Sequence, residues 1–260
     1  MTMFDTQTSR TPSVRPGPAF VVVLASVALG AWLTVARPID DGIAVFVFVT
    51  SGWILSLIFH EFAHAFVAWR GGDHSIPAKG YLTLDPRRYT DPVTSIVLPL
   101  VFVLMGGIGL PGGAVWIDRS LLNSTARASA VSLAGPFTNL ALGAVVLLPL
   151  STGLVEPTTY PVLAVAMAFL GFLQLTAFVL NMLPVPGLDG FGALEPHLSP
   201  SVRLALAPVR RWGMLVLIGA LFFVDPVRDV FWSTVGALMG LFGVDDSLFR
   251  VGWQLYRFWE

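Results

Sequence analysis

The stretch LIFHEFAHAFVAWRGG, residues 57–72, sets two histidines and a glutamate into what otherwise reads as a membrane span. On a helix, positions i and i+4 share a face one turn apart, so His60 and His64 aim both imidazoles at the same point. Glu61 is the adjacent polar group. The H-E-x-x-H spacing is that of zinc hydrolases, in which the glutamate is a general base and not a ligand. The competing structural reading makes these residues helix-contact polars, hydrogen-bonded to neighbouring spans. Ionisable groups this closely spaced are costly inside a membrane, and an ion held between them offsets that cost.

The rest of the chain supports the membrane setting. Of its 260 residues 55% are hydrophobic and 12% charged, and the mean hydropathy is +0.77, well outside the range of soluble domains. A net charge of -1 offers no basic field for nucleic acid. The absence of cysteine removes disulfides, thiolate ligands and thiol nucleophiles together, so any metal is held by nitrogen and oxygen.

A hydrocarbon core of about 30 Å takes about 20 helical residues. Apolar runs of that order lie at 18–36, 43–70, 94–111, 128–150, 159–183, 204–224 and 227–243. The "TVA" before Arg37 mimics a signal-peptide cleavage site, but the length of the run and Pro38 close behind favour an uncleaved span. Arg10 and Arg15 before the first run, and Arg70, Lys79, Arg87 and Arg88 after the second, mark both flanks as cytoplasmic. Arg119 and Arg127 follow the third run, whereas the loop STGLVEPTTY after the fourth carries no Lys or Arg. The third run therefore reads as re-entrant over 99–113, and its Pro99 and five glycines fit broken backbone that lines a cavity.

The expected fold is an all-α polytopic membrane protein with about six transmembrane helices, a re-entrant segment and both termini cytoplasmic. A short strand at 81–84, bounded by Gly80 and Pro86, belongs near the active site. Residues 1–260 read as a single membrane domain, with a polar tail at 1–17, a catalytic core at 44–195 and C-terminal helices at 200–260. The last helix, with its mixed aromatics and charges, looks interfacial.

A catalytic zinc takes three protein ligands and an open position. The segment NMLPVPGLDGFG, residues 181–192, begins at the cytoplasmic end of the fifth run. His64 precedes Arg70 by only about 9 Å of helical rise, so Asp189 can meet the histidine pair. Taken alone, Asp189–Gly190 is also a turn signal and Asn181 a helix-end residue. His197 is a fallback third ligand, while His74 reads as a loop residue and Glu195 as a solvated one. Gly135, Pro136 and Asn139 suit a closely packed, kinked helix, expected to press against the His60/His64 helix.

FHEFAHAF together with NMLPVPGLDG resembles the site-2 protease family of intramembrane zinc metalloproteases, whose signatures are H-E-x-x-H and N-x-x-P-x-x-x-x-D-G. SLAGPFTNL, at 132–140, is similar to the small-residue helix between those signatures. The stretch 82–100 is similar to the segment after the histidine helix in the bacterial branch that lacks an inserted domain. The likeness spans roughly 44–195. It implies that His60, His64 and Asp189 ligate Zn2+, that Glu61 is the catalytic acid/base, and that Asn181 holds the substrate carbonyl or its oxyanion. It also implies a multi-pass protein of the cell membrane, cutting a transmembrane or membrane-associated protein or peptide within the lipid bilayer, near the cytoplasmic face. Residues 79–85 would then offer an edge strand to the unwound substrate, and 99–113 would line a water route to the zinc. The alternative is a metal-ion transporter or a non-catalytic membrane metal-binding protein. Glu61 separates the two, because a hydrolase needs it and a carrier does not.

Overall fold

The computed structural model describes residues 16–85, 87 and 115–260. Helix α1 (Pro18–Ala36) opens on a proline, whose fixed φ suits a first helical position. Helix α2 (Asp41–Gly71) is capped by Asp40, whose Oδ1 accepts from the Gly42 amide at 2.9 Å. Its 31 residues span ~46 Å, longer than a hydrocarbon core of ~30 Å. Ser124 caps α3 (Thr125–Ser151) in the same way, and α4 (Pro161–Met182) again begins on proline. Shorter helices follow: α5 (Asp189–Leu194), α6 (Pro200–Leu206), α7 (Arg210–Phe223), α8 (Asp225–Leu241) and α9 (Asp246–Tyr256).

Helices α2, α3 and α4 pack on one another, α1 lies along α2, α9 docks on α4 and α2, and α8 lies against α4 with α7 beside it. The main core joins Val45, Phe48, Trp53 and Leu57 of α2 to Phe169, Leu170 and Leu173 of α4, with Tyr256 of α9. In lipid, apolar side chains gain little from leaving the solvent, so close backbone approach has to supply the packing. Gly30 and Gly171 provide it. A Cβ at Gly30 would stand 2.5 Å from the Phe48 Cα, and one at Gly171 would stand 2.4 Å from Leu147 Cδ2.

Among the described residues α1 to α4 are long and apolar enough to cross a membrane, and α8 with α9, bent by 112° at a short break, would make a fifth if taken as one span. The expected run at 204–224 is not one helix. It divides into α6, a 3-10 turn over Ala207–Val209 and the 14-residue α7, because Pro208 removes a helical donor and crowds the turn before it. The re-entrant segment expected at 99–113 lies outside the described residues.

The strand expected at 81–84 is a series of turns. Gly80 and Leu84 adopt left-handed φ values of 77° and 53°. Thr83 folds back to donate both its amide and its hydroxyl to the Gly80 carbonyl, at 3.2 and 2.7 Å. The alternation in Tyr-Leu-Thr-Leu mimics a strand, but backbone groups turned inward in this way cannot form a ladder. Residues 79–85 are thus no edge strand for a substrate. The C-terminal helix, expected to be interfacial, packs one face on the bundle. Tyr256 is fully buried, its hydroxyl 3.0 Å from Thr50 Oγ1 and its ring against Phe46 and Phe169.

Candidate active site and metal centre

His60 and His64 project from α2 with their Nε2 atoms 3.1 Å apart. Asp189, the first residue of α5, places Oδ2 3.3 Å from each of them. The three side chains form a group of potential metal ligands. Tetrahedral bonds of about 2.1 Å separate neighbouring donor atoms by about 3.4 Å, so the triad has the dimensions of a zinc site.

The tautomers argue the same way. His60 Nδ1 lies 2.6 Å from Asn139 Oδ1, and His64 Nδ1 lies 2.7 Å from the Val131 carbonyl. Amide and carbonyl oxygens only accept, so each Nδ1–H donates and each Nε2 turns its lone pair inward. Two lone pairs and a carboxylate converging over little more than 3 Å suit a cation held between them.

Helix α3 closes the site from behind, as its small residues led us to expect. A Cβ at Gly135 would lie 2.2 Å from His64 Nε2 and 2.5 Å from His60 Nε2, so only glycine lets α3 approach the imidazoles this closely. One turn on, Asn139 receives the His60 proton and donates through Nδ2 to Gln174 Oε1 of α4 at 2.8 Å, all three being buried. Sequence reasoning assigned Asn139 to packing and passed over Gln174. The i, i+4 spacing of Gly135 and Asn139 was the available signal, since it puts the amide on the face that meets the histidines.

Glu61 is buried beside the triad, and its Oε2 accepts from the Val115 amide at 3.2 Å. Asn181, at the end of α4, is buried too, and its amide forms no hydrogen bond with another described residue. Both face a cavity of about 220 Å³ that the triad also lines. His60, Glu61, His64, Asn181 and Asp189, five positions drawn from two distant motifs, are thus brought to one cavity. His197 is not: it sits in a 3-10 turn with Nε2 3.0 Å from Ser129 Oγ. Glu195 is paired with Arg119 and Arg210 rather than solvated.

Comparison with known proteins extends the reading over the whole chain. It is 48% identical over 259 residues to "Putative zinc metalloprotease Rip2" of Mycobacterium tuberculosis, covering 98% of each chain. To the protein of the same name in Mycolicibacterium smegmatis it is 46% identical over 253 residues, 95% of this chain and 96% of the other. To "Putative zinc metalloprotease YwhC" of Bacillus subtilis it is 30% identical over 200 residues, 71% of this chain and 84% of the other. No family model matches the chain, and no solved structure matches it significantly.

Proposed function

The chain belongs to the site-2 protease family of intramembrane zinc metalloproteases, and from that premise we propose that it cleaves its protein substrates at a zinc held by His60, His64 and Asp189. Glu61 is the general base and Asn181 the carbonyl-binding donor. The observation that carries this assignment is the convergence of the three donor atoms on one cavity wall with Glu61 and Asn181.

His60, His64 and Asp189 would hold the zinc, which would supply an acidified water molecule and a polarised scissile carbonyl. Glu61 takes a proton from the water as its oxygen bonds to the carbonyl carbon, and delivers one to the leaving nitrogen as the C–N bond breaks. The Val115 amide fixes Oε2, which leaves Oε1 to carry the proton. The Asn181 amide donates to the carbonyl oxygen as negative charge develops on it, without competing for the metal. Asn139 and the Val131 carbonyl keep both imidazoles in the ligating tautomer throughout.

The same reading takes residues 1–260 as one membrane domain, with 44–195 as its catalytic core. The docking of α9 on α2 and α4 supports counting the C-terminal helices in that body. It retains 99–113 as re-entrant, both termini as cytoplasmic, and a transmembrane or membrane-associated substrate cut near the cytoplasmic face. Single cysteines placed in this cysteine-free chain test it. A residue of the 1–17 tail should resist a membrane-impermeant thiol reagent added outside intact cells, and labelling there overturns the orientation.

The central test pairs two variants. Glu61→Gln should keep about one zinc per chain and lose about 100-fold or more of the cleavage of a transmembrane reporter peptide. Asp189→Ala should lose the metal itself. Wild-type cleavage by Glu61→Gln removes the assigned base, and full zinc content in Asp189→Ala removes the assigned ligand.

A further inference from the structure

The two halves of the metal site are supported very unequally. His60 and His64 stand on a helix of 31 residues, whereas Asp189 opens a helix of six. So short a helix makes few internal hydrogen bonds and does not hold its own direction. Something else must fix where the Asp189 carboxylate points.

Arg119 occupies that place. Its Nη1 donates to the Gly192 carbonyl of α5 at 3.0 Å, and its Nη2 donates to Ser132 Oγ of α3 at 3.0 Å. Gly192 makes the approach possible, because a Cβ there would stand 2.8 Å from Ser132 Oγ and 3.1 Å from Arg119 Nη2. One guanidinium thus ties the helix of Asp189 to the helix that orients both imidazoles. Arg119 is itself anchored through the residue before it, since the Asp118 amide donates to Asp73 Oδ2 at 2.9 Å. It also lines the catalytic cavity, where the Asp189 carboxylate is among the charges acting on it.

We infer that Arg119 is a positioning residue: by bridging Gly192 and Ser132 it holds α5 at the distance where Asp189 completes the zinc site. This rests on Asp189 being the third ligand. The role calls for arginine. Its planar fork sends two N–H groups to two acceptors in fixed directions, whereas a lysine ammonium is a single point on a flexible stem. The Ser129 hydroxyl, bonded to the Ala193 carbonyl at 2.6 Å, gives α5 a second tether that keeps it docked when Arg119 is lost.

The test uses the full chain in detergent and compares wild type, Arg119→Ala, Arg119→Lys and Asp189→Ala. Zinc affinity is measured by competition with a chelating dye, and the visible bands of the cobalt-loaded protein are recorded beside it. Arg119→Ala should weaken zinc binding about 10- to 100-fold, the range for loss of a group that orients a ligand, and should change the cobalt bands. Arg119→Lys should recover only part of the loss, and methylguanidinium added to Arg119→Ala should recover more. Wild-type affinity and cobalt bands in Arg119→Ala, while Asp189→Ala has lost the metal, overturn the inference and leave Asp189 a ligand. Retention of zinc by Asp189→Ala overturns both together. Should Arg119→Ala not fold, Ser132→Ala removes one of the two acceptors: a smaller loss of affinity supports the bridge, and unchanged affinity refutes it.

Discussion

Helices α1 and α4 have the same mean hydropathy over their most apolar windows, 2.3, yet only 17% of the α1 window is buried within the protein against 83% for α4. Hydropathy records that a segment can leave water, and it does not record whether lipid or protein replaces the water. What distinguishes the two helices is their polar content. Gln174, Thr176 and Asn181 of α4 are all buried, and two of them stand within the site or its hydrogen-bond chain. The α1 face instead presents Val21, Val22, Leu29 and Trp32 outward. A helix that carries side-chain amides through a membrane has to turn them to protein, because lipid offers no partner.

That contrast can be sharpened at sites of decreasing sensitivity. The largest effect belongs to the helix pair that encloses the histidines. Gly135→Ala puts a methyl group on top of both Nε2 atoms, so metal analysis of the purified variant should find no stoichiometric zinc. Near-normal zinc content would mean that α3 can retreat, and that the enclosure is looser than the distances state. Next comes Gln174→Leu, which removes the acceptor for Asn139 and leaves a buried amide donor unpaired. Zinc affinity should fall about 10-fold, by the same ligand-orienting argument as for Arg119. An unchanged affinity would limit the orienting chain to Asn139 alone.

Smaller still is Gly171→Ala on the buried side of α4. Its methyl group would meet Leu147, and overpacking of this kind costs about 1–3 kcal/mol. Thermal unfolding in detergent should register it, while zinc content per folded chain stays at the wild-type level. Val22→Ala on the outward face of α1 closes the series, with an expected change within about 0.5 kcal/mol. If Val22→Ala matched Gly171→Ala, the contrast between the two helices would fail, and α1 would have a partner surface of its own.

The amino-acid sequence by itself determined whatever follows from local spacing. His60 and His64 at i and i+4, with Glu61 between them, announce a metal-dependent hydrolase, and the limits of α1, α2, α3 and α4 fall within three residues of the apolar runs that announce them. The Asn181 and Asp189 segment was legible because its motif is itself a short string. Local spacing also misled. The alternation at 81–84 says nothing of the left-handed φ at Gly80 and Leu84, and the apolar run at 204–224 conceals its break at Pro208.

Only the tertiary structure decided which groups support the site. Asn139 reaches His60 across 79 positions of chain, Gln174 reaches Asn139 across 35, and Arg119 reaches Gly192 across 73. No periodicity links such pairs. The physical reason is that a ligand's identity depends on donor atoms a few residues apart, whereas its orientation depends on whichever helices happen to pack behind it. Asparagine, glutamine and arginine are common residues, and each takes a defined role only when folding brings it within about 3 Å of its partners.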